Sequence, residues 1–258
     1  MTGTTEYEQF DAVAVISLNR PDSLNGFTPD MCKELLHDFE TAHNDESVRA
    51  IVFTGVGRCF SAGADLKQGW SDGRPVRDKL RYEYRPILAA IGNVPKPVIA
   101  AVPGFAAGIG LSFAMHSDLL MMADDAFLLS PFTKISLLPD GGANWLLVRQ
   151  LGYHRAFQLS IESERIDAER CLEYGIANKV VPAAELRQSA IEWARQLTER
   201  APLSIAATKK AMRFAQDNSW DYCYDLEAEL QQQLRDSDDA TEGANAFLEK
   251  RDPVFKGR

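Results

Sequence analysis

Three segments in the first half of the chain carry continuous apolar runs: Ala12-Val-Ala-Val-Ile-Ser-Leu-Asn19, Arg49-Ala-Ile-Val-Phe-Thr54 and Pro97-Val-Ile-Ala-Ala-Val102. A strand with one wet face alternates, whereas a continuous run marks a strand buried on both sides, as in a parallel sheet covered by helices. Between the first two, Pro29 to His43 sets Met31, Leu35, Leu36 and Phe39 at helical spacing. Asp118–Ala123, Ala126–Leu129 and Lys179–Pro182 read as further strands. Helices are predicted over about Lys79–Ile91, Gly110–His116 and Ala143–Leu151, with Gly104–Gly110 as a turn. The polar stretch from Lys67 to Asp78 contains Gly69, Ser71, Asp72, Gly73 and Pro75 and reads as a mobile loop. Past Leu151 the chain is mostly helical, and nearly all of 201–249 is helix. Alternating strands and helices followed by helices alone predict an α/β core over residues 1–200 and a helical appendage over 201–258.

Composition narrows the function rather than the fold. A formal net charge of −9 over 258 residues disfavours a nucleic-acid binder, which needs an excess of Lys and Arg on one face. It leaves room for a phosphorylated small molecule, and Lys250 to Arg258 forms one local basic patch. Cys32, Cys59, Cys171 and Cys223 are scattered with neither CxxC pairing nor zinc spacing, which points to free thiols in a reducing compartment. The opening residues are polar and acidic rather than basic then apolar, and no run approaches a membrane span, so a cytosolic address is expected.

Three places could carry chemistry. Ser61-Ala-Gly-Ala-Asp-Leu66 follows a strand, and its small residues suit either a tight turn or the close approach of a backbone N–H to a ligand. Gly104 to Ser112 leads into a helix whose first N–H groups lack internal partners and carry partial positive charge; aimed at a carbonyl oxygen, they would stabilise an oxyanion. The nucleotide-loop reading of that segment is weak, because Gly108-Ile-Gly-Leu-Ser-Phe113 departs from GxGxxG at its last position. Asp140, in Leu138-Pro-Asp-Gly-Gly142, is an acid on a turn after an apolar run. Read alone it is a turn residue or helix cap as readily as a proton carrier. His37, His43, His116 and His154 lack metal-ligand spacing and read as structural; no metal is expected. Asp118, Asp124 and Asp125 flank a strand end and read as turn residues or a buried hydrogen bond.

Taken together, the segments resemble the crotonase superfamily, the enoyl-CoA hydratase/isomerase group. The matching pieces are Leu18-Asn-Arg-Pro-Asp-Ser-Leu-Asn25, Phe60-Ser-Ala-Gly-Ala-Asp-Leu66, Pro95-Lys-Pro-Val-Ile-Ala-Ala101, Gly104-Phe-Ala-Ala-Gly-Ile-Gly110 and Leu138-Pro-Asp-Gly-Gly142. Arg165-Ile-Asp-Ala-Glu169, Tyr174-Gly175 and Val180-Val-Pro182 continue the match. The resemblance implies a ββα spiral with a C-terminal helical domain, assembled as a homotrimer or a dimer of trimers. It also implies an acyl-CoA thioester substrate, with coenzyme A part of that substrate and no separate cofactor. By motif position, the backbone N–H groups of Ala64 and Ile109 would hold the thioester oxygen. Ser23, Leu24, Ala62, Asp65 and Leu66 would meet the adenine end of coenzyme A. Phe255 and Lys256 match a tail that reaches a ligand, often in a neighbouring subunit.

Two departures from the family pattern shape the expected reaction. Its hydratases activate water with two glutamates, which would fall here at Ser112 and Phe132; neither side chain exchanges protons near neutral pH. Asp140 falls where double-bond isomerases of the family carry their acid. Its surroundings and the run Ala246-Phe-Leu-Glu-Lys-Arg251 are similar to the ring-epoxide isomerases of phenylacetyl-CoA catabolism. The resemblance therefore implies an isomerase moving a 3-enoyl double bond to the 2-position, with Asp140 as acid and base and Phe132 excluding water. Ser112 is expected to orient substrate or hold a water, with no part in the chemistry. The alternatives are an enoyl-CoA hydratase, a ring-epoxide isomerase opening an epoxide to an oxepin, and a non-catalytic member that binds acyl-CoA or RNA.

Overall fold

The computed structural model describes residues 3–69 and 73–258. Among them nine strands occur: β1 (Thr5–Phe10), β2 (Val13–Leu18), β3 (Ala50–Gly55), β4 (Val98–Val102), β5 (Phe105–Ala107), β6 (Leu119–Ala123), β7 (Phe127–Leu129), β8 (Arg165–Asp167) and β9 (Lys179–Val181). The helices of the first half are α1 (Pro29–Asn44), α2 (Leu66–Gly69), α3 (Val76–Lys79), α4 (Arg85–Asn93) and α5 (Ile109–His116). Those of the second half are α6 (Ala143–Leu151), α7 (Tyr153–Glu162), α8 (Ala168–Glu173), α9 (Leu186–Thr198), α10 (Pro202–Ala215), α11 (Trp220–Arg235) and α12 (Asp238–Glu249).

The apolar runs become the middle of a six-stranded sheet in the order β1-β2-β3-β4-β6-β9. Every residue of β2 and β4 is buried, as the continuous runs require. The antiparallel β1–β2 pair starts the sheet, and every later pairing within it is parallel. α1 covers one face through Met31, Cys32, Leu35, Phe39 and Ala42. Its start is set by Pro29 and by Thr28, whose hydroxyl accepts the Met31 N–H at 3.3 Å. A second sheet, β5-β7-β8, stands at the carboxyl end of β4.

The structure departs from expectation in three places, each for a local reason. β1 is a half-buried edge strand of mostly polar residues and shows no apolar run. β5 and β8 are three residues each, too short for periodicity to register; the sequence reading put β5 inside a turn and β8 in a helical stretch. The loop expected from Lys67 to Asp78 is shorter, because α2 and α3 enter it from both ends; Trp70, Ser71 and Asp72 lie outside the described residues. From α3 the chain continues through a π-helical turn, Leu80–Tyr84, directly into α4. That turn places the Tyr84 ring edge-on to Phe27 and to Phe113, which stack on each other at 4.5 Å.

Two ends of the parallel sheet result. At its amino-terminal edge, Asp118 pairs with Lys209 at 2.7 Å and Arg213 at 2.8 Å, fastening α10 to the core. At its carboxyl edge, fully buried Asn25 stitches the loop after β2 to the loop after β3. Its amide donates to Val56 O and Cys59 O, and its Oδ1 accepts the Arg20 N–H. Replacing Asn25 by Ala strands these buried groups at once. We expect Asn25→Ala to lower stability by about 3 kcal/mol, read from the urea midpoint. A shift smaller than about 1 kcal/mol would show that the stitch is not what holds this edge.

Candidate active site

At the carboxyl edge the chain segment 60–66 lies backbone-to-backbone on the segment 103–110. Phe60 N–H donates to the carbonyls of Pro103 and Phe105, Ser61 N–H to Phe105 O, and Ala107 N–H to Ser61 O. Ser61 is fully buried; its hydroxyl donates to Asn25 O at 2.7 Å and accepts the Gly63 N–H. Phe27 forms a parallel bridge with Ala64 by donating to Gly63 O and accepting from Asp65 N–H. In a parallel bridge of that kind the central residue points its own N–H the other way, so the Ala64 N–H faces away from Phe27.

The second donor comes from the start of α5. Gly108 turns the chain from β5 into the helix with φ +56° and ψ −131°, a conformation open to glycine alone. Ile109 is the first residue of α5, so its N–H has no intrahelical acceptor and sits at the positive end of the helix dipole. A Cβ on Gly63 would lie 3.0 Å from Ala107 O and 3.5 Å from Ile109 N, which measures how closely the two segments approach. The structure therefore sets the segment that holds Ala64 beside the turn that begins at Ile109.

Asp140 stands against the same turn of α5. Gly141 takes φ +61°, and a Cβ there would collide with Cδ1 of Ile109 and come within 3.0 Å of Cβ of Ser112. Asp140 Oδ1 is buried without a hydrogen-bond partner among the described residues. Desolvation by burial raises the Asp140 carboxyl from its ordinary 3.8 to about 6. Phe132 is buried, and its ring edge would come 4.0 Å from a Cβ on Gly108, so it forms an apolar wall beside the donors. Ser112, expected to orient substrate or hold a water, is fully buried, and its hydroxyl donates to Asp140 O at 2.7 Å.

The residues expected at the adenine end come together in part. Ala62 N–H donates to Leu24 O, and Asp65 pairs with Arg20 at 3.0 Å, so Ser23, Leu24, Ala62, Asp65 and Leu66 share one rim. Ser23, Ala62 and Leu66 are exposed there. Phe255 and Lys256 stand apart from this rim within the chain. Phe255 O accepts from Arg49 at the start of β3, and Lys256 N–H donates to Asp239 at the start of α12, the far edge of the sheet. The sequence reading gave no role to Asn25, Ser61 or Arg20, although all three lie inside quoted motifs or beside them. Their signal was polarity in segments that had to be buried.

The family pattern for enoyl-CoA hydratase/isomerase matches residues 8–258. A probable enoyl-CoA hydratase of Rhodobacter capsulatus is 39% identical over 255 residues, covering 99% of this chain and 98% of that protein. The 1,2-epoxyphenylacetyl-CoA isomerase of Escherichia coli K12 is 35% identical over 250 residues, covering 95% of each. The crystal structure of an enoyl-CoA hydratase from Polaromonas sp. JS666 superposes with a TM-score of 0.93 at 30% identity, covering 98% of this chain and 100% of that one. The ββα spiral with a helical C-terminal region is therefore the fold of this protein, and the chain belongs to the enoyl-CoA hydratase/isomerase family of the crotonase superfamily.

Proposed function

We propose that the protein is an acyl-CoA isomerase that moves a double bond from the 3- to the 2-position of an enoyl thioester. One observation carries the reading: a half-buried carboxyl, Asp140, whose Oδ1 has no partner among the described residues, stands against the helix turn that begins at Ile109. The thioester oxygen accepts hydrogen bonds from the N–H groups of Ala64 and Ile109. These stabilise the enolate formed when the Asp140 carboxylate takes a proton from the α-carbon. The electron pair spreads over the dienolate, and the same carboxyl returns the proton to the γ-carbon. No atom is gained or lost, so the step balances without water, metal or redox partner.

Hydration asks for more than this. A water must be deprotonated while the α-carbon is protonated, which the family's pair of glutamates does at positions that here hold Ser112 and Phe132. A second reading stays within isomerisation, because the Escherichia coli relative acts on an epoxyphenylacetyl thioester. An epoxide-to-oxepin rearrangement would use the same donors and the same carboxyl. The adenine rim of Ser23, Leu24, Ala62, Asp65 and Leu66 would hold coenzyme A, which arrives as part of the substrate, so no separate cofactor enters.

We further propose a homotrimer or dimer of trimers assembled through 201–258. Exposed Met212, Trp220, Tyr224, Phe247 and Leu248 on α10, α11 and α12 support this, since apolar groups clustered on one region mark interfaces. So does the position of Phe255 and Lys256, which lets them meet a ligand only across a subunit boundary. The four cysteines are free, in keeping with a cytosolic address.

The direct test compares turnover of a 3-enoyl-CoA by isomerisation with hydration of crotonyl-CoA. We expect the first to exceed the second by at least about 100-fold, and faster hydration would refute the isomerase reading. Asp140→Asn should lower isomerisation by roughly 1,000-fold while leaving coenzyme A affinity within about twofold. For the parent protein, kcat/KM should rise about tenfold per pH unit below about 6, the value of the raised carboxyl, and level off above it.

The same charge affects stability with a definite sign. The folded carboxyl titrates near 6 and the unfolded one near its ordinary 3.8, so the folded state is favoured below 3.8 and that advantage is lost as pH rises through 6. Asp140→Asn removes the penalty of burying the charge. At pH 7 it should be more stable than the parent by on the order of 2 kcal/mol, a gain that vanishes below about pH 4. Equal thermal midpoints across that range would rule out a buried charge at Asp140.

A further inference from the structure

Among the described residues no group hydrogen-bonds Oδ1 of Asp140, so the backbone of its turn has to fix where the base points. Its position is inherited from its backbone. The Asp140 carbonyl accepts two hydrogen bonds, one from Ala143 N–H at 3.1 Å within its own turn and one from Ser112 Oγ at 2.7 Å on α5. The Ala143 bond shapes the turn but ties it to nothing else. The Ser112 bond tethers that turn to the core, and it does so from a fully buried side chain.

Ile109 and Ser112 are three residues apart on α5 and so lie on one face of its first turn. The helical turn that presents the Ile109 donor therefore also holds the turn of the base. Gly141 completes the fit, because any side chain there would strike both Ile109 and Ser112. Resting on the isomerase reading, we propose that Ser112 is a positioning residue that fixes the Asp140 carboxylate relative to the Ile109 oxyanion donor by holding the Asp140 carbonyl. It touches neither substrate nor the moving proton; it sets the distance over which the proton travels.

Ser112→Ala keeps the volume almost unchanged and leaves the Asp140 carbonyl still bonded to Ala143, so the variant is expected to fold. With a 3-enoyl-CoA substrate, kcat should fall roughly 10- to 100-fold with KM within about twofold, the signature of a misplaced base. Ser112→Cys, a weaker donor of similar size, should fall between the two. Combining Ser112→Ala with Asp140→Asn should lose no more than Asp140→Asn alone, because one residue acts through the other. Additive losses, or an unchanged kcat in Ser112→Ala, overturn the proposal.

A measurement without substrate separates this idea from the isomerase reading. Carboxyl NMR titration of Asp140, assigned by its loss in Asp140→Asn, should move toward the ordinary aspartate range in Ser112→Ala as the freed turn opens to solvent. A titration unchanged by Ser112→Ala refutes the positioning role even if the protein proves to act on another thioester. Absent turnover of 3-enoyl-CoA by the parent, with a shifted titration in Ser112→Ala, would sink the reaction and leave the positioning intact.

Discussion

The site depends on two segments of backbone lying against each other with nothing between them. Residues 60–64 and 103–110 exchange hydrogen bonds as if they were strands, yet each leaves the sheet at the carboxyl end of a different parallel strand. Parallel strands end side by side, so the loops after β3 and β4 are neighbours without further instruction. Small residues then let the loops close until Gly63 is within van der Waals reach of Gly108 and Ile109. Two backbone segments from distant parts of the sequence, each holding one of the proposed donors, thereby lie side by side. Because neither donor is a side chain, the identities that matter are those that permit the approach: Ser61 and Asn25 beneath it, and the glycines within it.

The opposite edge of the sheet does different work. Asp118, Lys209 and Arg213 form a partly buried ion cluster, with Lys209 also donating to the carbonyls of Ile91 and Lys96, and Arg213 to that of His116. Burial lowers His116 to about 4, helped by the charge of Arg213, so this histidine is neutral at physiological pH and structural, as its sequence context indicated. Such a cluster offers orientation more than net stability. It fixes α10 against the core at the end of α5 far from Ile109. One eight-residue helix, about 12 Å long, thus separates the chemistry from the helical appendage.

Much of this was legible in the sequence where burial is expressed as a run. Val13–Leu18, Ala50–Gly55 and Val98–Val102 declare themselves because a strand covered on both faces is apolar on both, with only small polar residues such as Ser17 and Thr54 interrupting the run. β1 did not, since an edge strand satisfies one ladder and wets the other side. The site was legible only through the family pattern. Asp140 read by itself was a turn residue as much as a base, because Pro-Asp-Gly is good turn chemistry. What favours a base is the buried oxygen without a partner among the described residues, a property of the fold around Asp140 and not of its neighbours in sequence. The bond made by Ser112 is hidden from the sequence for the same reason. A serine three residues into a helix can face any direction, and only the packed structure shows it turned to the Asp140 carbonyl.

The two positions where the family's hydratases carry glutamates are therefore occupied to an end. Phe132 supplies an apolar wall, and Ser112 supplies a tether. Ser112 holds the Asp140 carbonyl, while the Phe132 ring borders the turn at Gly108. A carboxylate in place of Ser112 would undo this arrangement. It would break the bond to the Asp140 carbonyl and set a like charge against the turn of the base. Under the proposed isomerase reading, a base with no second acid to relay its proton returns it to the substrate it came from. Transfer from one carbon to another within one molecule then needs no further group.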